Sequence, residues 1–450
     1  MSDDHAAHAI GAYGSRINRT PNIDRLATEG ARLTNCFCTN SICTPSRAVI
    51  LTGEYSHRNG VKTLDDALDP GRQNVAKLLR AGGYSTAMIG KWHLIKEPSG
   101  FDYWNILPGQ GVYHDPSFID MGAEKSHSGY VSDLITDFSI EWLRRRPKDN
   151  PFFLMCHHKA PHRPWQPDAK YAHMFDGETV PEPDNLFDDY ANRSAAARGA
   201  IMRVGENMTR TDLKTDIPSD LHGNELRRWA YQRYIKDYLR CIASVDDNVG
   251  RLLDFLDAQD LTRDTIVIYT SDQGFFLGDH GWFDKRFMYE ESLRMPFLIR
   301  YPRGIAPGRV NGDLILNLDF SELFLDYAGL QAPANMQGTS FRRNLEGHTP
   351  SHWRQSMYYR YWMHLTEHGV PAHYGVRTHR YKLVYYYGEA LGTTGSVARE
   401  TPPEWELFDL EKDPREMRNV YGDRTYSKVI VELKRELARL QRQYGDVPCG

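Results

Sequence analysis

The chain has 450 residues, 40% of them apolar and 25% charged, with a formal net charge of −4. That is the profile of a globular protein with room for one large and one small domain. Acidic and basic residues are interspersed, which excludes an electrostatic case for nucleic acid or a membrane surface, so any anion specificity has to come from a local site.

In chain order, "TPNIDRLATEG" and "NVAKLLRAGG" read as helices that stop on glycine. "YSTAMIGKWH" follows as an apolar run of strand length with a polar end. "SDLITDFSIEWLRRR" is a helix, and "PFFLMCHHKAPH" is a second strand ending in histidines. The stretch from Arg227 to Gln259 places Ile235, Leu239, Ile242, Val245, Val249, Leu252 and Leu253 in a 3.6-residue rhythm, one long helix. "DTIVIYTSDQG" is a third strand with a polar end. Alternating buried strands and amphipathic helices predict an α/β domain, a largely parallel sheet flanked by helices, over residues 1–345. From 346 the pattern changes. "SMYYRYWM", "HYGVRTHRYKLVYYYG" and "EWELFDLEKDP" predict an antiparallel sheet, and "SKVIVELKRELARLQRQY" a helix docked on it, making a small α+β domain over 346–450.

No apolar run approaches the roughly 18 residues that a membrane-spanning helix needs. Six cysteines, at 36, 38, 43, 156, 241 and 449, are too few and too scattered for a disulfide scaffold. Cys36 and Cys38 lack a second pair at zinc-ligand spacing. Cys156 and Cys241 read as buried hydrophobes.

The polar clusters fall at the carboxyl ends of the strands, where sheets of this kind bind ligands. Asp3 and Asp4 open the sequence. Cys43 and Arg47 lie in "CTPSRAVILTG", Lys91 and His93 in "GKWH", and His157, His158 and His162 in "HHKAPH". Asp272 and Gln273 end the third strand, and Lys285 follows in "HGWFDKRF". Three carboxylates and an amide oxygen form a hard donor set suited to Ca²⁺ or Mg²⁺. Two lysines, an arginine and two histidines suit an anionic group with several oxygens. A cation and a ring of positive charge around one reactive side chain is the layout for sulfuryl or phosphoryl transfer.

CTPSRAVILTG resembles the signature of the type I sulfatases, and GKWH and SDQG fit the same family over nearly the whole chain. "DKRFMYEESLRMPFLIRYP" looks like the bacterial branch related to N-acetylglucosamine-6-sulfatases. The resemblance implies an alkaline-phosphatase-like fold and hydrolysis of a sulfate ester on a sugar, such as a 6-O-sulfated glucosamine. It implies that a separate maturation enzyme converts Cys43 to formylglycine, whose hydrate attacks sulfur. Asp3, Asp4, Asp272 and Gln273 would hold calcium, with magnesium an alternative; Gln273 stands where Asn or His is more frequent. Arg47 would steady the hydrate, Lys91 and Lys285 would bind sulfate oxygens, His93 would take the proton that collapses the sulfated hemiacetal, and His162 would act near the leaving group. A thiol attacking sulfate would give a thiosulfate ester with no easy exit, whereas a geminal diol can expel sulfate through its second hydroxyl.

His158, His280, His373 and Arg377 are weaker candidates for substrate contact, and residues 176–225, polar and irregular, are the expected seat of sugar specificity. Family members open with an apolar strand before the paired aspartates, and here Met1 and Ser2 alone precede Asp3. The expectation is a misassigned start or a shortened chain, a missing strand, and metal ligands on a frayed terminus. The rival readings are a phosphonate or phosphate ester hydrolase and an inactive glycan-binding relative.

Overall fold

A computed structural model of the protein describes residues 1–446; Cys449 lies outside the described residues. Strands Ala31–Leu33 (β1), Ser85–Lys91 (β2), Tyr103–Leu107 (β3), Ser117–Asp120 (β4), Ala123–Ser126 (β5), Phe152–His157 (β6), Val267–Thr270 (β7), Phe297–Arg300 (β8) and Arg309–Asn311 (β9) form two sheets, ordered β5-β4-β3-β2-β6 and β9-β1-β8-β7. The centre of the first sheet is parallel, with Met88 level with both Trp104 and Met155. The second sheet is mixed, because β8 runs antiparallel to β1 and β7.

Helices cover both faces. They include Pro21–Thr28 (α1), Cys43–Thr52 (α2), Val75–Ala81 (α3), Val131–Arg145 (α4), Gly223–Ala258 (α5) and Phe320–Tyr327 (α6). The alternation of side chains along β2 feeds two cores. Met88 packs into the one built from α2, α3 and α6, and Ile89 into the one built from α1, α4 and α5. Gly90 has to be glycine, since its φ is +103° and a Cβ there would stand 2.1 Å from the His157 carbonyl oxygen. That close approach sets the ends of β2 and β6, and hence Lys91 and His157, side by side.

The C-terminal part is an antiparallel sheet of Ser356–Tyr361 (β10), His373–Thr378 (β11), Tyr381–Tyr386 (β12) and Glu404–Asp409 (β13), joined in sequence order, with helix Ser427–Tyr444 (α7) against it. Leu433, Leu437, Leu440 and Tyr444 are the buried stripe of α7. β10 reaches the main domain directly: Arg360 N–H donates to Thr39 O at 3.1 Å, and the Tyr359 hydroxyl donates to Arg286 O at 2.7 Å. No helix of the described residues is long and apolar enough to cross a membrane.

The expectation of a frayed terminus is corrected. Met1–Asp3 pairs on both sides, between the ends of β6 and β7. The α-amino group donates to Cys156 O at 2.8 Å, His158 N–H donates to Met1 O at 2.8 Å, and Ser2 N–H donates to Thr270 O at 2.9 Å. Asp3 and Asp4 are buried as a result. Behind Met1 the sheets part into a cleft of about 650 Å³ lined by Phe152, Leu154, Cys156, Val267, Tyr269 and Leu253, among others. Its walls are two strand edges and apolar side chains, the surroundings that an extended apolar segment satisfies.

An apolar extension of about six to eight residues fused before Met1 is therefore expected to pair with β6 and β7 and to raise the melting temperature by about 2 °C or more. Equal melting temperatures for the two proteins would contradict this.

Candidate active site

The site forms where the strand ends, the first residues and the start of α2 converge. Cys43 and Arg47 occupy the first and fifth positions of α2, so the i, i+4 spacing stacks them on one face. Pro45 suits the first turn, where its missing N–H costs nothing, and Gly53 ends the helix at φ +65°. Every residue of α2 is buried, which fixes the direction of both side chains. Ser46 anchors the helix, donating to Asp272 O and accepting from Asn317 Nδ2 at 2.9 Å.

Asp3, Asp4 and Asp272 bring carboxylate oxygens within 4.8 Å of one another. Like charges that close need counterions. Arg47 donates through Nε to Asp272 Oδ2 at 3.0 Å, and its Nη2 lies 2.9 Å from the same oxygen. Its Nη1 donates to Lys91 O at 2.6 Å. Lys91 pairs with Asp3 and donates to Gln110 Oε1 at 2.5 Å. Lys285 donates to both Asp4 oxygens at 2.6 Å. Gln273 Nε2 donates to Asp4 Oδ1, and Asp4 N–H donates to Asp272 Oδ1 at 3.1 Å. His162 Nε2 stands 3.7 Å from Asp4 Oδ2. Its Nδ1 donates to Arg163 O at 2.6 Å. His93, at φ +54°, meets the Thr44 hydroxyl through Nδ1 at 3.3 Å.

Protonation follows from this packing. Burial, against the opposing pull of Lys285, lifts Asp4 to about 7. Burial and the Asp3 carboxylate lift Asp272 to about 6. Asp3 goes the other way: despite its burial, Lys91 and Arg47 hold it well below the usual carboxylate range. Burial pushes the Cys43 thiol up to about 11, against Lys285 and Lys91. Burial and Lys91 keep His162 well below its ordinary value, and the same two causes bring His93 down to about 2, so both rings are neutral.

A hard divalent cation fits these residues. The donors are carboxylate and amide oxygens, and two of them, Asp3 Oδ1 and Gln273 Oε1, are buried without a hydrogen-bond partner. Asp3, Asp4, Asp272 and Gln273 would hold it.

Ten of the sequence candidates thus meet in one cluster: Asp3, Asp4, Cys43, Arg47, Lys91, His93, His162, Asp272, Gln273 and Lys285. Four have their partners elsewhere. His158 lines the cleft behind Met1, with its ring near Cys156 Sγ. His280 is buried between Asp188, 3.3 Å from Nδ1, and Glu291, 3.6 Å from Nε2. Despite its burial, Glu291 and Asp188 raise His280 to about 9. His373 donates to Pro371 O at 2.8 Å and sits among Tyr359, Tyr361, Phe287 and Tyr386. Arg377 pairs with Glu290 at 3.0 Å and lies over the Phe37 ring. It belongs to a buried network, completed by Lys382 and Glu416, that ties the C-terminal sheet to the main domain.

Sequence reasoning missed Gln110, Asp284, Arg286 and Lys159. Gln110 lies in a glycine-flanked turn with no pattern of its own. Asp284 and Arg286 flank Lys285 at φ +81° and +89°, and Asp284 accepts from Arg286 Nε at 3.1 Å. Two charges beside a candidate lysine, in "DKR", were the available signal. Lys159 is buried over the Tyr113 ring, and burial brings it down to about 7.

A sheet whose strand ends carry carboxylates, facing a buried cysteine, an arginine and two lysines, has the layout of a site for a multi-oxygen anion. Comparison with known proteins names the family. A family model described as sulfatase matches residues 1–330, and one described as N-sulphoglucosamine sulphohydrolase, C-terminal, matches 278–443. The chain belongs to the sulfatase family, and it is a sulfuric ester hydrolase. It is 43% identical to an N-acetylglucosamine-6-O-sulfatase of Bacteroides thetaiotaomicron, over 99% of this chain and 86% of that one. It is 27% identical to the human N-acetylglucosamine-6-sulfatase, over 74% of this chain and 61% of that one. Among solved structures, BT4656 in complex with its substrate D-glucosamine-2-N,6-O-disulfate superposes with a TM-score of 0.95 at 42% identity, covering 100% of this chain and 97% of that one. A phosphonate monoester hydrolase of Agrobacterium radiobacter shares the fold at a TM-score of 0.76 and 22% identity, with 98% and 94% of the chains covered.

Because Asp4 and Asp272 are lifted, they carry protons below about pH 7 and 6 that a cation has to displace. The folded metal-free protein binds those protons and the metal-bound one does not, so low pH favours the former. Calcium affinity is expected to fall more than about tenfold between pH 8 and pH 5.5, with protons released on binding; a flat calorimetric profile would contradict this. Arg377→Ala, which removes one of three cations around the buried Glu290 carboxylate and leaves Lys382 and Arg294, is expected to cost about 2 kcal/mol in denaturant unfolding with KM unchanged. A raised KM at unaltered stability would place Arg377 at the substrate instead.

Proposed function

We propose that the protein removes the 6-O-sulfate from glucosamine residues of a sulfated glycan, using Cys43 converted to formylglycine and a bound divalent cation, with calcium the best chemical match. The observation that carries this reading is the meeting of Cys43, three carboxylates and two lysines in one buried cluster. The choice of sugar is supported by the 43% identical N-acetylglucosamine-6-O-sulfatase and by the disulfated glucosamine bound in the 42% identical structure.

The cation would supply charge for the sulfate oxygens and lower the cost of ionising a hydroxyl beside it. Converted and hydrated, the residue 43 side chain offers two hydroxyls, one to attack sulfur and one to expel sulfate by C–O cleavage. Lys91 and Lys285 neutralise the charge that gathers on the sulfate oxygens, and each reaches the cluster from its own strand end or loop. Arg47, held by Asp272 and the Lys91 carbonyl, keeps the residue 43 side chain and the carboxylates in register. Neutral His93 has a ring nitrogen free to take the proton of the second hydroxyl. His162 stands beside Asp4 with Nε2 unprotonated; the negative charge of an arriving sulfate ester at that point raises its proton affinity, which suits a donor to the departing sugar oxygen. Conversion requires a formylglycine-generating partner enzyme.

The test is sulfate release by protein co-expressed with such an enzyme, from glucosamines sulfated at O6, O3 or O2, an aryl sulfate and a phenyl phosphonate ester. Release is expected to be fastest from the 6-O-sulfated sugar, absent in Cys43→Ala, and about 10²–10³-fold lower in kcat/KM for Lys285→Ala. Faster turnover of the phosphonate ester than of every sulfate would favour the rival hydrolase reading. A fully matured, metal-loaded protein that turns over none of them would favour the binding-only relative.

A further inference from the structure

We propose that the thiol form of the protein, with Cys43 unconverted, holds a zinc-class cation through Cys43 Sγ, His162 Nε2 and a carboxylate oxygen of Asp3. This site overlaps the oxygen-lined one but differs from it in chemistry. One donor atom from each of the three residues lies within 4.8 Å of the other two. In a tetrahedral zinc site such atoms stand about 3.3–3.6 Å apart, so movements of about 1 Å close the set. Cysteine, histidine and aspartate are the donors zinc takes, and three protein ligands leave the fourth position to water.

Two features point these side chains at an ion. His162 donates its Nδ1 proton to Arg163 O at 2.6 Å, which leaves the lone pair on Nε2 facing the cluster. An outward hydrogen bond of that kind is what fixes the tautomer and aim of a ligating histidine. Asp3 Oδ1 is fully buried and accepts no hydrogen bond, a cost that a metal bond removes. Cys43 is buried as well, so its sulfur would meet the ion in a dry setting.

The bond forms without redox chemistry. The thiol proton leaves to solvent as the sulfur–metal bond is made, one proton per ion. Conversion of Cys43 replaces sulfur by oxygen, and the remaining donors, Asp3, Asp4, Asp272 and Gln273, are all hard. The same chain therefore selects a soft or a hard cation according to the state of one residue. Since Asp3 is common to both sets, the two ions exclude each other. Zinc on the thiol form would shield Cys43 from oxidation.

The test uses full-length protein made without a maturation enzyme, with the thiol verified by intact mass. Cobalt(II) serves as the spectroscopic probe and zinc as the competitor. Thiolate-to-cobalt charge-transfer absorption is expected, saturating at one ion per chain, displaced stoichiometrically by zinc and, because Asp3 is shared, by calcium only at large excess. Cys43→Ser is expected to abolish the band, with Cys43→Ala as the substitute should that variant not fold. His162→Ala is expected to weaken zinc binding at least about tenfold. No charge-transfer band in the folded thiol form, or zinc affinity retained when Cys43 is replaced, would overturn the proposal.

Discussion

Three carboxylates buried within touching distance of one another govern this structure. Taken alone, Asp3, Asp4 and Asp272 would repel one another at close range in a dry interior; burial lifts the proton affinity of Asp4 and Asp272, and the facing cations hold that of Asp3 down. Arg47, Lys91 and Lys285 answer the charge from three separate parts of the chain. The fold serves to bring those parts together. β2 delivers Lys91, β7 delivers Asp272, the loop before β8 delivers Lys285, and α2 delivers Arg47 on the same face as Cys43. Removing one partner of such a set leaves an uncompensated buried charge, which costs far more than the set as a whole contributes.

The C-terminal sheet belongs to this arrangement although it gives the cluster no ligand. Its first strand, β10, runs beside Thr39 and Ser41, just ahead of Cys43, and the Tyr359 hydroxyl bonds both Ser41 N–H and the Arg286 carbonyl. That single hydroxyl links the approach to α2 with the loop that carries Lys285. The Glu290–Arg377–Lys382–Glu416 network holds the same sheet from its other end. Position at the site and cohesion between the two parts of the chain are thus one problem with one solution.

Much of this was legible in the sequence, for identifiable reasons. Cys43 and Arg47 are four apart, which is a helical spacing, and the strands that end in Lys91, His157 and Asp272 are apolar runs of the right length with polar ends. The α5 rhythm, from Ile235 to Leu253, is equally explicit. What was not legible depends on turns and on distant partners. Gln110 reaches Lys91 from a turn with no periodicity, and Asp284 and Arg286 sit at positive φ, where pattern says nothing. His280, His373 and Arg377 look like site residues because they are polar and lie near motifs. Their partners, Asp188 and Glu291, the Pro371 carbonyl, and Glu290, come from tertiary structure that no local pattern discloses. The terminus was misjudged for a related reason. Met1 and Ser2 make a short stub, yet β6 and β7 offer it hydrogen-bonding edges on both sides.

In the proposed mechanism the residue 43 side chain, the acidic cluster and the two lysines act on one sulfate. The most direct measurement is a crystal structure of the matured, metal-loaded protein, made catalytically slow by His162→Ala, with a 6-O-sulfated glucosamine bound. The proposed mechanism requires the sulfur atom within bonding reach of residue 43, with Lys91 and Lys285 on its oxygens. A sulfate seated away from the carboxylates, with both lysines turned from it, would contradict it.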